Sequence, residues 1–239
     1  MSSQPSPAPA NPDPDRRRRA IGLGLGAMAL AAIVVVVLVL TSQSGGEDTG
    51  SDSAESGEAT IDDLPQEGSV IGDPDAPVKL VEYGDLQCPA CAAFSRDVVP
   101  ELISGPVADG EASLEFRSYL IIGPESLPAA EAALAAGEQG RLWQFVETFY
   151  AEQGAENSGY VTDDFLRGIA EDAGVPDLEK WEQERSDPAR EQTLRDQQTE
   201  AGELGLSGTP SLVLEAAGDS PEVLQDLSLE AIESAIAGG

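Results

Sequence analysis

The 239-residue chain carries 44 Asp and Glu against 13 Lys and Arg, a formal net charge of −31, with no histidine and only two cysteines. So acidic a surface repels nucleic acid and anionic lipid, which removes both as partners. Two cysteines without histidine also fall short of the roughly four ligands of a sulfur/nitrogen zinc site, leaving only a site shared between two chains.

Residues 1–15 (MSSQPSPAPANPDPD) have little to bury and read as disordered, so that 1–19 form a tail ending in the four arginines at 16–19. The uncharged, mostly apolar stretch 20–40 follows, ending in IVVVVLVL. At about 1.5 Å per residue, a helix of that length crosses roughly the 30 Å hydrocarbon core, so a transmembrane helix is expected over 20–40. The rival is a cleaved signal peptide, with Ser42-Gln43-Ser44 as a poor cleavage site. Signal peptides have apolar regions of only about 7–15 residues, which favours an uncleaved anchor. No cysteine follows the apolar run, as a lipoprotein anchor would need, and the arginine run is a weak twin-arginine candidate. The positive-inside bias keeps the arginines cytoplasmic and sends everything after Thr41 outside. Residues 41–67 are expected to be an acidic linker, most clearly over 41–60, which lacks aromatic and long aliphatic side chains. A folded domain over 68–239 remains, and its acidic surface suits a soluble exported domain.

Within that domain, 78–83 (VKLVEY) reads as a strand between Pro77 and Gly84. Cys88 and Cys91 come next, at the head of a helix whose apolar positions are Phe94, Val98, Leu102 and Ile103. Pro89 suits the first helical position, which makes Cys88 the N-cap, and Pro100 is expected to kink the helix. Residues 113–120 (SLEFRSYL) read as a second strand, and from Pro128 to about Leu204 the pattern is helical. The run 128–153 has Leu134, Leu142, Phe145, Val146 and Phe149 as its apolar stripe. Thr162 caps a short helix ending at Gly174, Trp181 lies on another, and Asp187-Pro188 starts the next. A strand at 211–215, a short one at 222–224 and a helix over 228–237 complete the order. The simplest architecture is an α/β sandwich with a helical insertion.

A thiolate, not a thiol, attacks a disulfide, so the chemistry turns on what lowers the pKa of one cysteine. An N-cap position does so without histidine, because the first helical N–H groups lack backbone partners and the macrodipole adds positive charge. Cys91 lies one turn on, close enough to resolve a mixed disulfide. As a structural staple the pair would close too short a loop to stabilise much. Thr209-Pro210 precedes the third strand, either as an ordinary strand-entrance proline or, if cis, as an open backbone edge beside the sulfurs. Glu82 lies in VKLVEY, where alternation leaves its face open. Facing inward it is a proton relay for Cys91; facing solvent it does nothing.

The segments IGDPDAPVKLVEYGDLQCPAC (71–91), LEFRSYL, AAEAALAAGEQGRLWQFVETFYAEQ and LGLSGTPSLVLEAAG (204–218), in that order, resemble the DsbA-like branch of the thioredoxin superfamily. The resemblance is especially to the membrane-anchored extracytoplasmic thiol–disulfide oxidoreductases of Gram-positive-type bacteria. It implies a thioredoxin fold with a helical domain inserted over about 125–204. By position, Cys88 matches the attacking cysteine, Cys91 the resolving one, Thr209 and Pro210 the pair facing the active site, and Glu82 the buried glutamate. Pro89 and Ala90 occupy the tuning positions, and Ala90 departs from the histidine that often precedes the second cysteine. Gln87 stands where the thioredoxins and reducing relatives usually have tryptophan.

The resemblance implies an enzyme that donates or exchanges disulfides in exported, unfolded proteins with cysteines, and that needs no metal or organic cofactor. A membrane reoxidant of the DsbB or vitamin K epoxide reductase type would restore its disulfide, within reach of a domain on a flexible tether. The rivals are a membrane-tethered disulfide reductase or isomerase, and a non-catalytic thioredoxin-like protein-binding module.

Overall fold

The computed structural model describes residues 58–239. The expected cytoplasmic tail, the transmembrane helix at 20–40 and the linker up to 57 lie outside the described residues. Among the described residues no helix is long and apolar enough to cross a membrane.

The folded chain begins earlier than the expected boundary at 68. Thr60 and Asp63 form a capping box around a single helical turn, Ile61–Asp63. Asp62 pairs with Arg141 at 2.8 Å, and Gln66 donates to Gln144 at 2.9 Å. These polar contacts give 60–67 fixed partners despite its acidic, linker-like composition. Strands β1 (Gln66–Glu67) and β2 (Val70–Ile71) then pair as a small antiparallel edge.

Strand β3 (Val78–Gly84) is the centre of the sheet and is buried on both faces, which is why its sequence is a nearly continuous apolar run. Helix α1 (Pro89–Asp97) follows, with Cys88 as its N-cap. The helix breaks at Val98, two residues before Pro100, and resumes as α2 (Val99–Leu102). A proline has no N–H for the carbonyl four residues back and its ring crowds that carbonyl, so the interruption falls upstream of it. After a wider turn at Ile103–Val107 the chain enters β4 (Ala112–Ser118), parallel to β3.

β4 stops short of the expected end at 120. The amide of Leu120 goes to the Gln198 side chain, and those of Ile121 and Ile122 to the Asp85 carboxyl, so side chains take the donors that a strand would need.

The expected helical insertion is present, but the run 128–153 is two helices, α3 (Ser126–Gly137) and α4 (Leu142–Ala151), turned at Gly140 with φ +67°. Three more helices complete it: α5 (Asp163–Asp172), α6 (Leu178–Arg185) and α7 (Pro188–Glu203). Thr162, Asp177 and Asp187 cap them by accepting first-turn N–H bonds. The alanines of α3 allow close approach, and the Trp181 indole donates to the Ala132 carbonyl at 2.9 Å.

The chain returns to the sheet as β5 (Ser211–Ala216), antiparallel to β3, then β6 (Glu222–Val223), and ends in α8 (Leu229–Ile236). The sheet order is β1-β2-β4-β3-β5-β6. β3 is thus enclosed by β4 and β5, and the loop after it opens beside the start of α1.

Trp143 joins insertion to sheet: its ring meets Phe116 edge-on at 6.2 Å and its indole donates to the Ser69 carbonyl at 3.0 Å. Trp143→Ala is expected to destabilise the domain by about 3–5 kcal/mol, read from urea unfolding midpoints.

Candidate active site

The site forms where β3 gives way to α1. Glu82 points from the strand into the core, Gly84 ends it, and the loop 85–87 delivers Cys88 to the helix N-terminus. Cys88 lies just beneath the surface and Cys91 is fully buried one turn further on. Pro89 and Ala90 are exposed and form the rim above the sulfurs.

The structure brings the second predicted element to the same place. Thr209–Pro210 is a cis peptide, and the Thr209 carbonyl lies 3.4 Å from Cys88 Sγ. The Thr209 hydroxyl oxygen is also buried, with no protein partner beyond the sulfurs it faces. The two cysteines are free thiols.

The two sulfurs are opposite in character. Cys88 is lowered to about 5, first by the hydrogen bond from the Cys91 thiol, then by Thr209 and by the first-turn backbone of Cys91 and Ala90, against the effect of its burial. The helix terminus therefore acts as expected, but it ranks behind the neighbouring thiol and the Thr209 side chain. Cys91 is pushed well above the usual thiol range, mainly by burial, and further by Cys88 and the Glu82 carboxyl.

Glu82 faces inward. Burial raises its carboxyl to about 8, with a further contribution from Cys88. Its neighbours across the sheet are Phe116 and Leu212, and Oε1 has no hydrogen-bond partner. A carboxyl in such surroundings is held neutral near physiological pH and can give up or accept a proton.

Several residues to which the sequence assigned no part in the site hold this loop. Asp85 is completely buried, and its carboxyl accepts from the backbone of Gln87 at 2.9 Å, Ile121 at 2.9 Å and Ile122 at 3.0 Å. Gln87 bonds Ser126 through its amide nitrogen at 3.0 Å and takes the Asn157 N–H at 2.8 Å. Gln153 donates to the carbonyls of Leu86 and Cys88 at 2.8 and 3.2 Å, and the Tyr150 hydroxyl donates to the Asp85 carbonyl at 3.3 Å. The helical insertion is therefore the wall of the redox site. An acidic residue directly after a core strand was the available signal for Asp85. Tyr150, on the last turn of α4, and Gln153, just past its end, gave none beyond the amphipathic pattern of the helix.

Comparison with known proteins agrees with this arrangement. The family profile described as Thioredoxin matches residues 65–236. The chain is 31% identical to a probable disulfide bond formation protein D of Bacillus cereus over 147 residues, which is 59% of this chain and 67% of that protein. Its fold is similar to that of oxidised BdbD from Bacillus subtilis, with a TM-score of 0.63 at 22% identity, covering 76% of this chain and 95% of that one. A thioredoxin-like oxidoreductase from Silicibacter pomeroyi is similar at a TM-score of 0.57 and 29% identity, over 71% and 90% of the two chains.

Two titrations follow from the geometry. The ultraviolet absorbance of the reduced protein should report a Cys88 thiolate with a midpoint of about 5, absent in Cys88→Ala. The second concerns stability. Glu82 is raised on folding, so its neutral form contributes stability that is complete below the unfolded pKa and is lost as pH rises to about 8. Cys88 is depressed, so its contribution has the opposite sign and is lost as pH falls through about 5. In the oxidised protein, where Cys88 does not titrate and burial alone holds the Glu82 carboxyl up, Glu82→Gln should therefore remove a loss of stability that sets in as pH rises above the usual carboxyl range. The difference amounts to about 1.4 kcal/mol per unit of displacement, measured by urea unfolding at a series of pH values.

Proposed function

The chain belongs to the thioredoxin family and is a thiol–disulfide oxidoreductase of DsbA-like type, and we propose that it donates disulfides to exported proteins through Cys88 and Cys91. The observation that carries this reading is the asymmetry of the two sulfurs: a shallow Cys88 lowered to about 5 beside a fully buried Cys91 raised far above it.

In the oxidised enzyme the two cysteines share a disulfide. A substrate thiolate attacks the accessible Cys88 sulfur, the Cys88–Cys91 bond breaks, and a mixed disulfide forms through Cys88. Cys91 leaves carrying the electron pair and takes a proton, for which neutral Glu82 is the nearby source. A second substrate thiolate then attacks the substrate sulfur of the mixed disulfide. The substrate leaves oxidised, and Cys88 leaves as the thiolate that its surroundings stabilise. Attack by Cys91 on Cys88 is the reverse path, which returns the substrate reduced.

The energetics favour donation. A thiol titrating at about 5 is roughly a hundredfold ionised at neutral pH, which stabilises the dithiol by about 2.7 kcal/mol, or about 60 mV for a two-electron couple. The Thr209–Pro210 backbone beside Cys88 offers an edge for an extended segment of substrate. Ile121, on the loop after β4 that Asp85 ties to the site, and Leu127, in the first turn of α3, are the exposed large apolar side chains among the described residues and suit unfolded clients.

The enzyme works outside the cell membrane on this reading, with the arginines at 16–19 cytoplasmic and residues 20–40 as its anchor. The support is the length and charge pattern of that stretch. Because donation leaves the enzyme reduced, a membrane reoxidant of the DsbB or vitamin K epoxide reductase type completes the cycle.

Equilibration of the full-length protein with glutathione buffers, read by thiol alkylation, tests the direction. The couple is expected above about −220 mV, towards the DsbA and isomerase values and away from the thioredoxin value of about −270 mV. A potential in the thioredoxin range would overturn disulfide donation in favour of reduction. Cys88→Ser should abolish exchange, whereas Cys91→Ser should accumulate mixed disulfides with client proteins.

A further inference from the structure

The Tyr150 hydroxyl is a buried titratable group that the exchange steps above leave unused. It belongs to α4 of the insertion, not to the thioredoxin sheet, yet it reaches the centre of the site. Its hydrogen bond goes to the Asp85 carbonyl at 3.3 Å. Burial raises its pKa well above the usual range; the Cys91 sulfur on α1, within hydrogen-bond reach of the hydroxyl, and the charges of Glu82 on β3 and Asp85 in the loop add to the effect. It therefore stays protonated, a donor under all working conditions.

Space for the hydroxyl is made by the sheet. Gly84 has the same facing as Glu82, two residues on along β3. A Cβ placed there would lie 2.6 Å from the Phe116 ring and 3.2 Å from the Tyr150 oxygen. The hydroxyl is also free to turn. The Asp85 carbonyl that it bonds already accepts the Cys88 N–H at 2.9 Å, so the carbonyl is not orphaned when the hydroxyl leaves. Gln153, one turn on, pins the end of α4 to the Leu86 and Cys88 carbonyls and so keeps the ring in place.

The geometry points to Tyr150 as the hydrogen-bond donor that receives the Cys91 sulfur when the Cys88–Cys91 disulfide opens. This deepens the exchange reaction proposed above and rests on it. As the S–S bond breaks, the electron pair goes to Cys91, which has no exposure to solvent and for which a bare thiolate is costly. The Tyr150 O–H turns from the Asp85 carbonyl to that sulfur and keeps its own proton. The sulfur is then protonated by the Glu82 carboxyl, which becomes a carboxylate and is reprotonated from solvent. Cys88 has its ring of donors in the resting dithiol; Tyr150 supplies the buried partner with one for the moment at which it carries charge.

The test is Tyr150→Phe in the full-length protein, which keeps the ring. Opening of the disulfide by dithiothreitol, followed by rapid mixing, is expected to slow about tenfold or more, the loss due to one hydrogen bond to a charged acceptor. The Cys88 titration midpoint and the glutathione potential are expected to stay at the wild-type values, because neither resting state contains a Cys91 thiolate. An unchanged opening rate would overturn the inference. So would a slowing matched by shifts in both the Cys88 midpoint and the potential, which would mark distortion of the loop. Should the variant not fold, a ring-fluorinated tyrosine at position 150, a stronger donor of nearly the same shape, is expected to speed opening, and no change in rate would again count against the inference. If no thiol opens the wild-type disulfide, the exchange reading itself fails and takes this one with it.

Discussion

The Cys88 sulfur is met by donors that carry no full positive charge: the Cys91 thiol, the Thr209 side chain and the first-turn backbone of α1. The chief groups that lower its pKa include no cation, and the chain has no imidazole to offer. Such donors are short-ranged and directional, unlike a charge that acts over several ångströms. Small displacements of the loop or of the cis-proline segment would weaken all of them together. The fold accordingly holds Cys88 from three directions: the end of β3, the start of α1, and the Thr209–Pro210 segment leading into β5.

The helical insertion has a part in that control. Ser126, Tyr150, Gln153 and Asn157 all bond the four-residue stretch from Asp85 to Cys88. Asp85 works in the other direction, its carboxyl gathering the amides of Ile121 and Ile122 where the chain leaves the sheet for the insertion. With both carboxyl oxygens so engaged, this buried acid organises backbone, whereas Glu82, three residues earlier and poor in partners, is left able to exchange a proton. Two acids of like type have been given different tasks by their hydrogen bonds.

Two of the cations of this acidic chain are placed elsewhere. Lys79 and Arg117 lie on one face of the sheet among Glu115, Glu200 and Glu215, and Arg117 makes a paired contact with Glu115 while bonding Tyr83. That network joins β3, β4, β5 and α7 on the face opposite Glu82, and leaves the sulfurs to neutral donors.

Much of this could be read along the chain. VKLVEY followed by glycine and a Cys-Pro-Ala-Cys helix start is local information, because a doubly buried strand, an N1 proline and an N-cap are each dictated by neighbouring residues. The same holds for the caps at Thr162 and Asp187 and for the extent of the insertion. Three things were not local. The break at Gly140 and the early end of β4 arise where the backbone is redirected by a left-handed glycine and by distant side chains. The face of Glu82 depended on what packs over each side of the sheet, since alternation along one strand does not tell the two sides apart. The approach of Thr209 and Tyr150 to the sulfurs joins segments more than fifty residues apart in sequence, and a contact at that separation is set by how helices pack on the sheet. Residue order thus specified a reactive thiol at a helix end, while folded neighbours determined how acidic it is, which carboxyl can serve it and which hydroxyl stands beside its partner.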